Sequence, residues 1–480
     1  MAMKEDIISL LPMIILGGGS LCTMLLVALK RSHTLAFIST LIVLATSFAA
    51  IFLINMQTPH AIGEIFVVDS FGLYYQALIL AATFIVSIFS YISLKNLFPD
   101  KRKEEYYLLL MIATLGAGMM VISAHFISFF VSLEILTVSL YALVAYYRER
   151  EKAIEAGLKY LILAAMSSSF LLFGIGLVYA ISGTMAFSSL LDITNMMEGK
   201  ETIMLVAGIG MIIVGFGFKL ALVPFHMWAP DVYEGASSPV SAFIATVSKG
   251  AVVAALLRLF MTAEIYRYEK IMLTLMIISI LSMLVGNLLA LLQNNIKRLL
   301  AYSSIANFGY ILVAFIAGKQ MGMQACTFYI TAYIVTILGA FGIITIISHT
   351  DAEAADIVNY KGLFWRRPLL ASALTIFLLS LAGIPLTAGF MGKYFLLTAG
   401  LENSQWMLAF VLVISSVMGL FYYLRVIAIM MKEEEDNSTF AINRISIPGG
   451  LVIAILSFAV ITLGLCPEWL IDTIKGLAIR

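Results

Sequence analysis

Five ionisable side chains lie within stretches of sequence that are otherwise apolar enough to cross a membrane. These five are Glu134, Lys159, Lys219, Lys249 and Lys393. A charged side chain at the centre of a membrane helix costs about 2.5–3.5 kcal/mol on insertion scales, so chains keep such residues mainly where a function needs them. Because lysine and glutamate both gain and lose protons, the five residues predict a path for proton transfer inside the membrane.

Two of the lysines, Lys219 and Lys393, end the same short pattern, G-F-x-x-K. Each is also close to a proline that interrupts a helix, Pro224 after the first lysine and Pro385 before the second. Irregular backbone at membrane depth is tolerated only where protein or water covers it. Both lysines are therefore expected to face an internal hydrated path.

The remaining candidates differ in how strongly their positions indicate a role. Glu134 is the only acidic residue in the middle of a predicted span, so we expect it to pair with Lys219. Lys249 has no acid in its own helix, which favours a relay. Lys159 is either a relay member or a lysine whose charged end reaches the cytoplasmic face. His226 follows the first helix break and is either a proton shuttle or an ordinary loop histidine.

Composition sets the class of protein. The chain has 480 residues, of which 62% are hydrophobic and 12% charged, and its mean hydropathy is +1.02. These values are typical of an all-α polytopic membrane protein. A net charge of +1 argues against nucleic acid as a partner. The three cysteines stand singly, without the spacing of an iron–sulfur or metal site, so no cofactor is expected in this chain.

Apolar windows of about 20 residues predict about fourteen transmembrane helices. Their predicted bounds are 7–29, 34–55, 71–94, 106–123, 125–147, 156–181, 203–223, 239–261, 271–292, 299–317, 323–348, 369–399, 406–431 and 448–474. The first of these is interpreted as a retained helix, since it is too long for the core of a signal peptide. The twelfth is too long for one straight span and contains Pro385, so it is expected to be broken.

Lysine and arginine alternate between successive loops. Loops after even-numbered helices hold little more than Lys200, Arg267, Lys270 and Lys319. Loops after odd-numbered helices hold Lys30, Arg31, Lys95, Lys101, Arg102, Lys103, Arg148, Arg150, Lys152, Lys297, Arg298, Lys361, Arg366, Arg367, Lys432 and Arg444. By the positive-inside rule the odd loops are cytoplasmic, and both termini lie on the non-cytoplasmic side.

Short echoes in the sequence predict an internal repeat. Five helices separate the two G-F-x-x-K patterns, so the second copy crosses the membrane in the opposite sense to the first. Two inverted five-helix repeats with broken helices are the architecture of many ion-coupled transporters. The predicted units are an N-terminal three-helix segment (1–105), a first repeat (106–262), a second, inverted repeat (270–432) and a C-terminal transmembrane helix (445–480).

Four longer motifs resemble a known family. They are E-A-G-L-K-Y at 155–160, G-F-K-L-A-L-V-P-F-H-M-W-A-P-D-V-Y-E-G at 217–235, N-I-K-R-L-L-A-Y-S-S-I at 295–305 and G-I-P-L-T-A-G-F at 383–390. Together they resemble the antiporter-like membrane subunits of respiratory complex I. Among these subunits the N type is the most similar. The chain has Lys393 at a position where M-type subunits have glutamate, and it ends without the long lateral helix of L-type subunits.

The resemblance implies a proton-translocating subunit of an oxidoreductase that passes electrons from NADH, or a related donor, to quinone. It assigns proton transfer to Glu134, Lys219, Lys249 and Lys393, with Lys159 as a further member. The family's pattern often has histidine at position 307, where this chain has asparagine, which cannot take up a proton.

The resemblance further implies partner subunits that carry NADH, FMN, iron–sulfur clusters and quinone. Neighbouring antiporter-like subunits and the prokaryotic cytoplasmic (inner) membrane are the implied surroundings. Two other classes are also compatible with the sequence, a multisubunit Na⁺/H⁺ antiporter and a proton-pumping membrane-bound hydrogenase or formate-oxidising complex.

Overall fold

A computed structural model describes residues 2–54, 59–97, 102–188, 190, 200–348, 353–433, 446–477 and 479. The first half of the described chain contains α1 (Ala2–Ser9), α2 (Leu11–Leu29), α3 (His33–Ile54), α4 (Ser70–Leu97), α5 (Glu104–Val121), α6 (Phe126–Val144), α7 (Glu151–Ser182), α8 (Lys200–Leu220), α9 (Trp228–Gly235), α10 (Ser238–Phe243) and α11 (Lys249–Thr262). A π-helical turn, Ile244–Ser248, joins the last two.

The second half contains α12 (Glu269–Leu291), α13 (Ile296–Ala317), α14 (Lys319–Ile347), α15 (Leu363–Arg366), α16 (Pro368–Ala382), α17 (Ala388–Glu402), α18 (Trp406–Met431), α19 (Ile447–Leu465) and α20 (Glu468–Lys475). Short 3₁₀ turns lie at Ile265–Arg267 and Ile357–Tyr360.

The prediction of an all-α polytopic membrane protein is confirmed. Thirteen helical segments of the described chain are long and apolar enough to span a membrane, with the α10–π–α11 segment counted as one. The twelfth predicted span is divided into α16 and α17, which together complete the predicted fourteen. The inverted repeat stays a prediction, as do the unit boundaries. The unit bounds 1, 445 and 480, the predicted span end at 55 and the loop bases at 101 and 444 lie outside the described residues.

Four predicted spans differ from the structure by four residues or more at one end. α7 begins at Glu151 rather than at residue 156, and α14 begins at Lys319 rather than at residue 323. A proline explains the other two differences. The first span begins at Leu11 rather than at residue 7, because Pro12 occupies the first turn of α2, where its missing N–H costs nothing. The last span ends at Leu465 rather than at residue 474. Pro467 follows, and α20 is a separate helix. A short hairpin that the sequence did not predict pairs strand β1 (His60–Ile62) with strand β2 (Phe66–Val68).

Burial rises steeply from the outside of the molecule to its centre. Only 28% and 33% of the most apolar stretches of α2 and α3 are buried, compared with 94% in both α13 and α14 and 100% in the α10–π–α11 segment. Outer helices expose leucine, isoleucine and phenylalanine, as expected of a surface that faces lipid. The three central segments therefore keep the polar groups that they carry away from lipid.

Candidate proton-transfer site

Lys219 lies in the last turn of α8, is 6% exposed and is held by a hydroxyl group rather than by a carboxylate. Its Nζ donates a hydrogen bond to Thr137 Oγ1 at 2.8 Å. Glu134, one turn earlier on α6, accepts a hydrogen bond from Ser168 Oγ at 2.5 Å. The predicted direct pair of Glu134 with Lys219 is therefore not formed in this structure. The two charged groups flank Thr137, because residues three apart on a helix share a face.

The helix break predicted near Lys219 lies immediately after it. α8 ends at Leu220, and the chain turns before α9 begins at Trp228. Trp228 Nε1 donates to the carbonyl of Phe218 at 2.9 Å, and Ser282 Oγ accepts from the amide of Val223 at 3.0 Å. These bonds satisfy backbone groups that the helix end leaves without partners.

His226 lies within this turn and is 7% exposed. Its Nδ1 has no hydrogen-bond partner among the described residues. Burial lowers the pKa of His226 below its ordinary value of 6.5, although a hydrogen bond with the backbone of Pro224 opposes the shift. The ring is thus mainly neutral at pH 7 and has one nitrogen free to accept a proton.

Lys249 is the most deeply buried of the five predicted residues, with no exposed surface. It directly follows the π-helical turn, and its Nζ donates to Ser304 Oγ on α13 at 2.8 Å. The ring centroids of Phe308 and Tyr233 lie 4.6 and 5.7 Å from Nζ. Aromatic faces at these distances stabilise an ammonium group. No carboxylate of the described chain forms an ion pair with Lys249.

Lys393 reaches back across the break between α16 and α17. Its Nζ donates to the carbonyls of Leu381 and Ala382 at 3.0 and 2.9 Å, and to Ser416 Oγ at 2.7 Å. The two carbonyls are at the C-terminus of α16, where helix carbonyls lack partners and the helix dipole favours a cation. Gly383 makes this approach possible, because a Cβ at that position would lie 2.8 Å from Lys393 Cδ.

Lys159 differs from the three buried lysines. Its side chain is 41% exposed, and its Nζ forms ion pairs with Glu155 and Asp231, each at 2.7 Å. Arg298 binds the second oxygen of Asp231 at 2.7 Å. Within the described chain, Lys159 makes no hydrogen bond with the other predicted site residues, so it belongs to a separate cluster of charges.

Sequence reasoning missed the hydroxyl partners of the charged groups. They are Thr137, Ser168, Ser304 and Ser416. Thr137 could have been found from its spacing of three residues from Glu134. The others lie on different helices and carry no signal of their own. Among the described residues, no group of histidine, cysteine and carboxylate side chains is arranged to hold a metal ion.

Comparison with known proteins defines the class. The family described as NADH:quinone oxidoreductase/Mrp antiporter, TM, matches residues 123–419. The chain therefore belongs to this family of antiporter-like membrane subunits. Within it, NADH-quinone oxidoreductase subunit N of Ectopseudomonas mendocina (strain ymp) is 39% identical over 488 residues, covering 99% of this chain and 97% of that protein. The resemblance predicted from the four motifs is confirmed.

Solved structures agree with this assignment. A chain of respiratory complex I from Thermus thermophilus with bound aureothin has a TM-score of 0.82 at 30% identity, covering 96% of this chain and 98% of that one. Two further chains share the fold. A chain of the archaeal membrane-bound sulfane sulfur reductase has a TM-score of 0.81 at 24% identity, covering 98% of this chain and 96% of that one. A chain of the Mrp complex of Dietzia sp. DQ12-45-1b has a TM-score of 0.82 at 21% identity, with the same coverage. Each of these similar chains comes from a complex.

Proposed function

We propose that this chain is the proton-translocating membrane subunit of an NADH:quinone oxidoreductase, with Glu134, Lys219, Lys249 and Lys393 as its proton-transfer residues. The observation that carries the proposal is the environment of the three lysines. Each is 8% exposed or less, each donates to a hydroxyl group, and none forms an ion pair with a carboxylate among the described residues. A lysine without a fixed counter-charge can give up its proton at a modest cost.

Hydroxyl partners suit this role because a hydroxyl accepts a hydrogen bond from an ammonium group and donates one to a neutral amine. Each lysine can thus keep a partner in both protonation states, although the Thr137 hydroxyl, which donates to the carbonyl of Leu133 at 2.6 Å, must first rotate toward Lys219. Protons enter from the cytoplasmic side near Lys219 and leave toward the other face near Lys393. Changes in the charge of one residue along the series Lys219, Lys249 and Lys393 drive proton transfer to the next. Glu134 is the counter-charge of Lys219, and its distance from the lysine changes during the cycle. His226, whose Nδ1 has no partner among the described residues, accepts protons at the entrance.

Lys159 has a different part in this scheme. Its ion pairs with Glu155 and Asp231 place a charged lysine at the predicted cytoplasmic end of α7. There it supplies positive charge near the entrance and exchanges protons less readily than the buried lysines, since two carboxylates stabilise its charged form.

Partner subunits supply the redox chemistry. NADH, FMN, iron–sulfur clusters and quinone belong to those subunits, and neighbouring antiporter-like subunits pack against this chain in the prokaryotic cytoplasmic (inner) membrane. Both termini lie on the non-cytoplasmic side, which reporter fusions at either end would test. The first repeat, 106–262, contains Lys219 and Lys249, and the second, 270–432, contains Lys393.

The direct experiment measures proton uptake into vesicles that contain the assembled complex, driven by NADH and quinone. Lys219→Ala and Lys393→Ala should each greatly lower the protons moved per electron while the complex still assembles. Lys393→Arg should behave like Lys393→Ala, because arginine keeps its proton. Lys475→Ala is the matched control, since that lysine is 60% exposed at the end of α20. Normal pumping by assembled Lys219 and Lys393 variants would exclude the proposed site.

An Mrp-type cation/proton antiporter is the second candidate, because the family includes antiporter subunits and the Mrp fold matches. The two candidates differ in their driving force. Proton movement that requires NADH and quinone supports the oxidoreductase, whereas movement coupled to a Na⁺ gradient without them supports the antiporter.

A further inference from the structure

The short helix α9 contacts the end of α8, which carries Lys219, and also contacts charged residues at the molecular surface. Its first residue, Trp228, is 2% exposed and packs against the last turn of α8. Its fourth residue, Asp231, is bound by Lys159 and Arg298. One helix of eight residues therefore touches both a buried lysine's helix and the separate cluster of charges.

Trp228 holds the end of α8 through its ring and through its indole N–H. The ring stacks on Phe218 with centroids 5.3 Å apart, and Nε1 donates to the Phe218 carbonyl at 2.9 Å. Tyr160 of α7 also packs against the indole, with centroids 4.9 Å apart. Since Phe218 directly precedes Lys219, the indole fixes both the side chain and the backbone of its neighbour.

The backbone at the end of α8 depends on contacts from outside the helix. The amide of Leu222 donates to the carbonyl of Gly217 at 2.8 Å, which is the longer bond of a Schellman cap. The amide of Ala221 donates to the carbonyl of Phe218 at 2.9 Å, which is the shorter one. The left-handed residue of such a cap is usually glycine, but here it is Ala221, with a φ of +59°. A residue with a Cβ is disfavoured in this conformation and persists only where its surroundings hold it.

Helix α7 contacts α9 through two consecutive residues. Tyr160 packs against Trp228, and Lys159 forms an ion pair with Asp231 at 2.7 Å. Trp228 and Asp231 are three residues apart in α9, so their side chains share a face of that helix. A shift of α9 that separates the ion pair therefore also moves the indole.

We propose that Trp228 is a positioning residue that holds the end of α8, and with it Lys219, and that Asp231 makes this position depend on the charges of Lys159 and Arg298. This inference rests on the proposed function and deepens it. Lys159 then acts on Lys219 through α9, although the two lysines share no hydrogen-bond partner among the described residues.

The ion pairs of Asp231 control whether the last turn of α8 is held. While they are formed, α9 keeps the indole on Phe218, and Lys219 stays within hydrogen-bond distance of Thr137. When they are broken, α9 can shift and the left-handed residue loses its support. The last turn of α8 then opens, because a helix end without its stabilising contacts frays. Lys219 belongs to that turn, so its side chain leaves the hydroxyl partner.

Hydrogen–deuterium exchange of the assembled complex, together with proton uptake into vesicles, tests the inference. Trp228→Phe removes the N–H donor and keeps an aromatic ring. Backbone amides at 217–222 should exchange several-fold faster, and the protons moved per electron should fall several-fold while NADH oxidation continues. Trp365→Phe is the matched control, because Trp365 Nε1 also donates to a carbonyl at a helix end, that of Met431 on α18, at 3.0 Å. The control should change neither quantity.

Asp231→Asn tests the dependence on surface charge without altering the buried ring. It removes the carboxylate charge that Lys159 and Arg298 bind, so the same amides should exchange faster and pumping should fall. Because both variants act through α9, the double variant should lose no more pumping than Trp228→Phe alone. Asp472→Asn is the control, since that carboxylate is exposed and pairs only with Lys475 three positions away.

The outcomes separate this inference from the proposed function. Unchanged exchange at 217–222 in assembled Trp228→Phe would overturn the inference, and so would normal pumping by that variant when Lys219→Ala does not pump. Fully additive losses in the double variant would exclude the link through α9. Normal pumping by Lys219→Ala would instead overturn the proposed function. If Trp228→Phe does not assemble, Asp231→Asn decides alone, because it changes a side chain that is 32% exposed.

Discussion

At the scale of single residues, the site is defined by the hydrogen-bond partner of each charged side chain. Lys219 donates to Thr137, Glu134 accepts from Ser168 one turn earlier on α6, and the two charged groups form no direct ion pair. Direct pairs between buried charges are hard to separate, because breaking one leaves an uncompensated charge. A threonine partner lets the lysine exchange its proton while the glutamate still influences it.

Replacing Thr137 with valine tests this interpretation. Valine has nearly the same shape but cannot accept a hydrogen bond, so the Nζ donor of Lys219 loses its partner at a cost of about 1–3 kcal/mol. We expect Thr137→Val to lower proton pumping while NADH oxidation and assembly persist. Thr246→Val is a suitable control, since Thr246 Oγ1 is bonded only within its own helix segment. Wild-type pumping by Thr137→Val would show that Lys219 does not depend on this hydroxyl.

At the scale of elements, the breaks in helices provide the polar groups of the site. The gap between α16 and α17 exposes carbonyls to Lys393, and the end of α8 leaves Lys219 beside an irregular turn. Carbonyls of a continuous helix are already paired within the helix and accept a second bond mainly from nearby side chains, as Ala242 does from Thr246, so they offer fewer free acceptors to a lysine. The interruptions therefore create binding groups without adding further charges to the membrane.

Gly383 is the residue on which the second break depends. Its φ of +84° lies in the region that favours glycine, and a Cβ there would approach Lys393 Cδ to 2.8 Å. Gly383→Ala should displace the lysine from its carbonyls and lower pumping toward the level of Lys393→Ala, measured in the same vesicle assay. The control is Gly176→Ala, because a Cβ at Gly176 meets no atom within 4 Å. Equal activity of the two variants would contradict the role assigned to Gly383.

The sequence predicted the breaks and the buried lysines because both depend on residue type. A lysine in an apolar span and a Pro385 in mid-helix are visible without a structure. The π-helical turn before Lys249 was not predictable, since I-A-T-V-S contains neither glycine nor proline. The spacing of Thr137 from Glu134 is visible in the sequence, but its bond to Lys219 depends on the tertiary structure. Glu353 resembles an ordinary loop acid, and only tertiary contacts bury it.

At the scale of the whole molecule, Glu353 and Lys297 join the two halves. Lys297 has no exposed surface, and its Nζ donates to Glu353 Oε2 at 2.7 Å and to the carbonyls of Glu234 and Ala236. Glu353 also accepts from the amide of Ser238 at 2.9 Å. The loop before α15 and the start of α13 are thereby attached to the α9–α10 connection of the first half.

Glu353→Gln should weaken this attachment. Removing the carboxylate charge leaves Lys297 buried without its counter-charge, at a cost of about 3–5 kcal/mol. Thermal unfolding of the purified complex should therefore begin at a lower temperature. Asp472→Asn is the control, since that exposed carboxylate should contribute little. A Glu353→Gln complex that unfolds like the wild type would show that the junction does not limit stability.

The same junction should respond to acid. Burial raises the pKa of Glu353, but the attraction of Lys297 and hydrogen bonds to it lower it further, so the pKa lies below its ordinary value of 4.5. A carboxyl group with a depressed pKa stabilises the folded state fully above pH 4.5 and loses that contribution as pH falls through the lower value. The difference between wild type and Glu353→Gln in thermal unfolding should therefore shrink only in acid.

The geometry before Lys249 depends on how many residues the π-helical turn contains, as well as on which residues they are. The amide of Lys249 donates to the carbonyl of Ile244, five positions back, so this turn holds one residue more than an α-helical turn. Deleting Ala245 should restore regular winding and leave the segments on either side in nearly their present orientation, because the wide turn takes up one extra residue. Lys249 should therefore still reach Ser304, and proton uptake should fall less than it does in Lys249→Ala. An equal loss in the two variants would show that the wide turn itself is required.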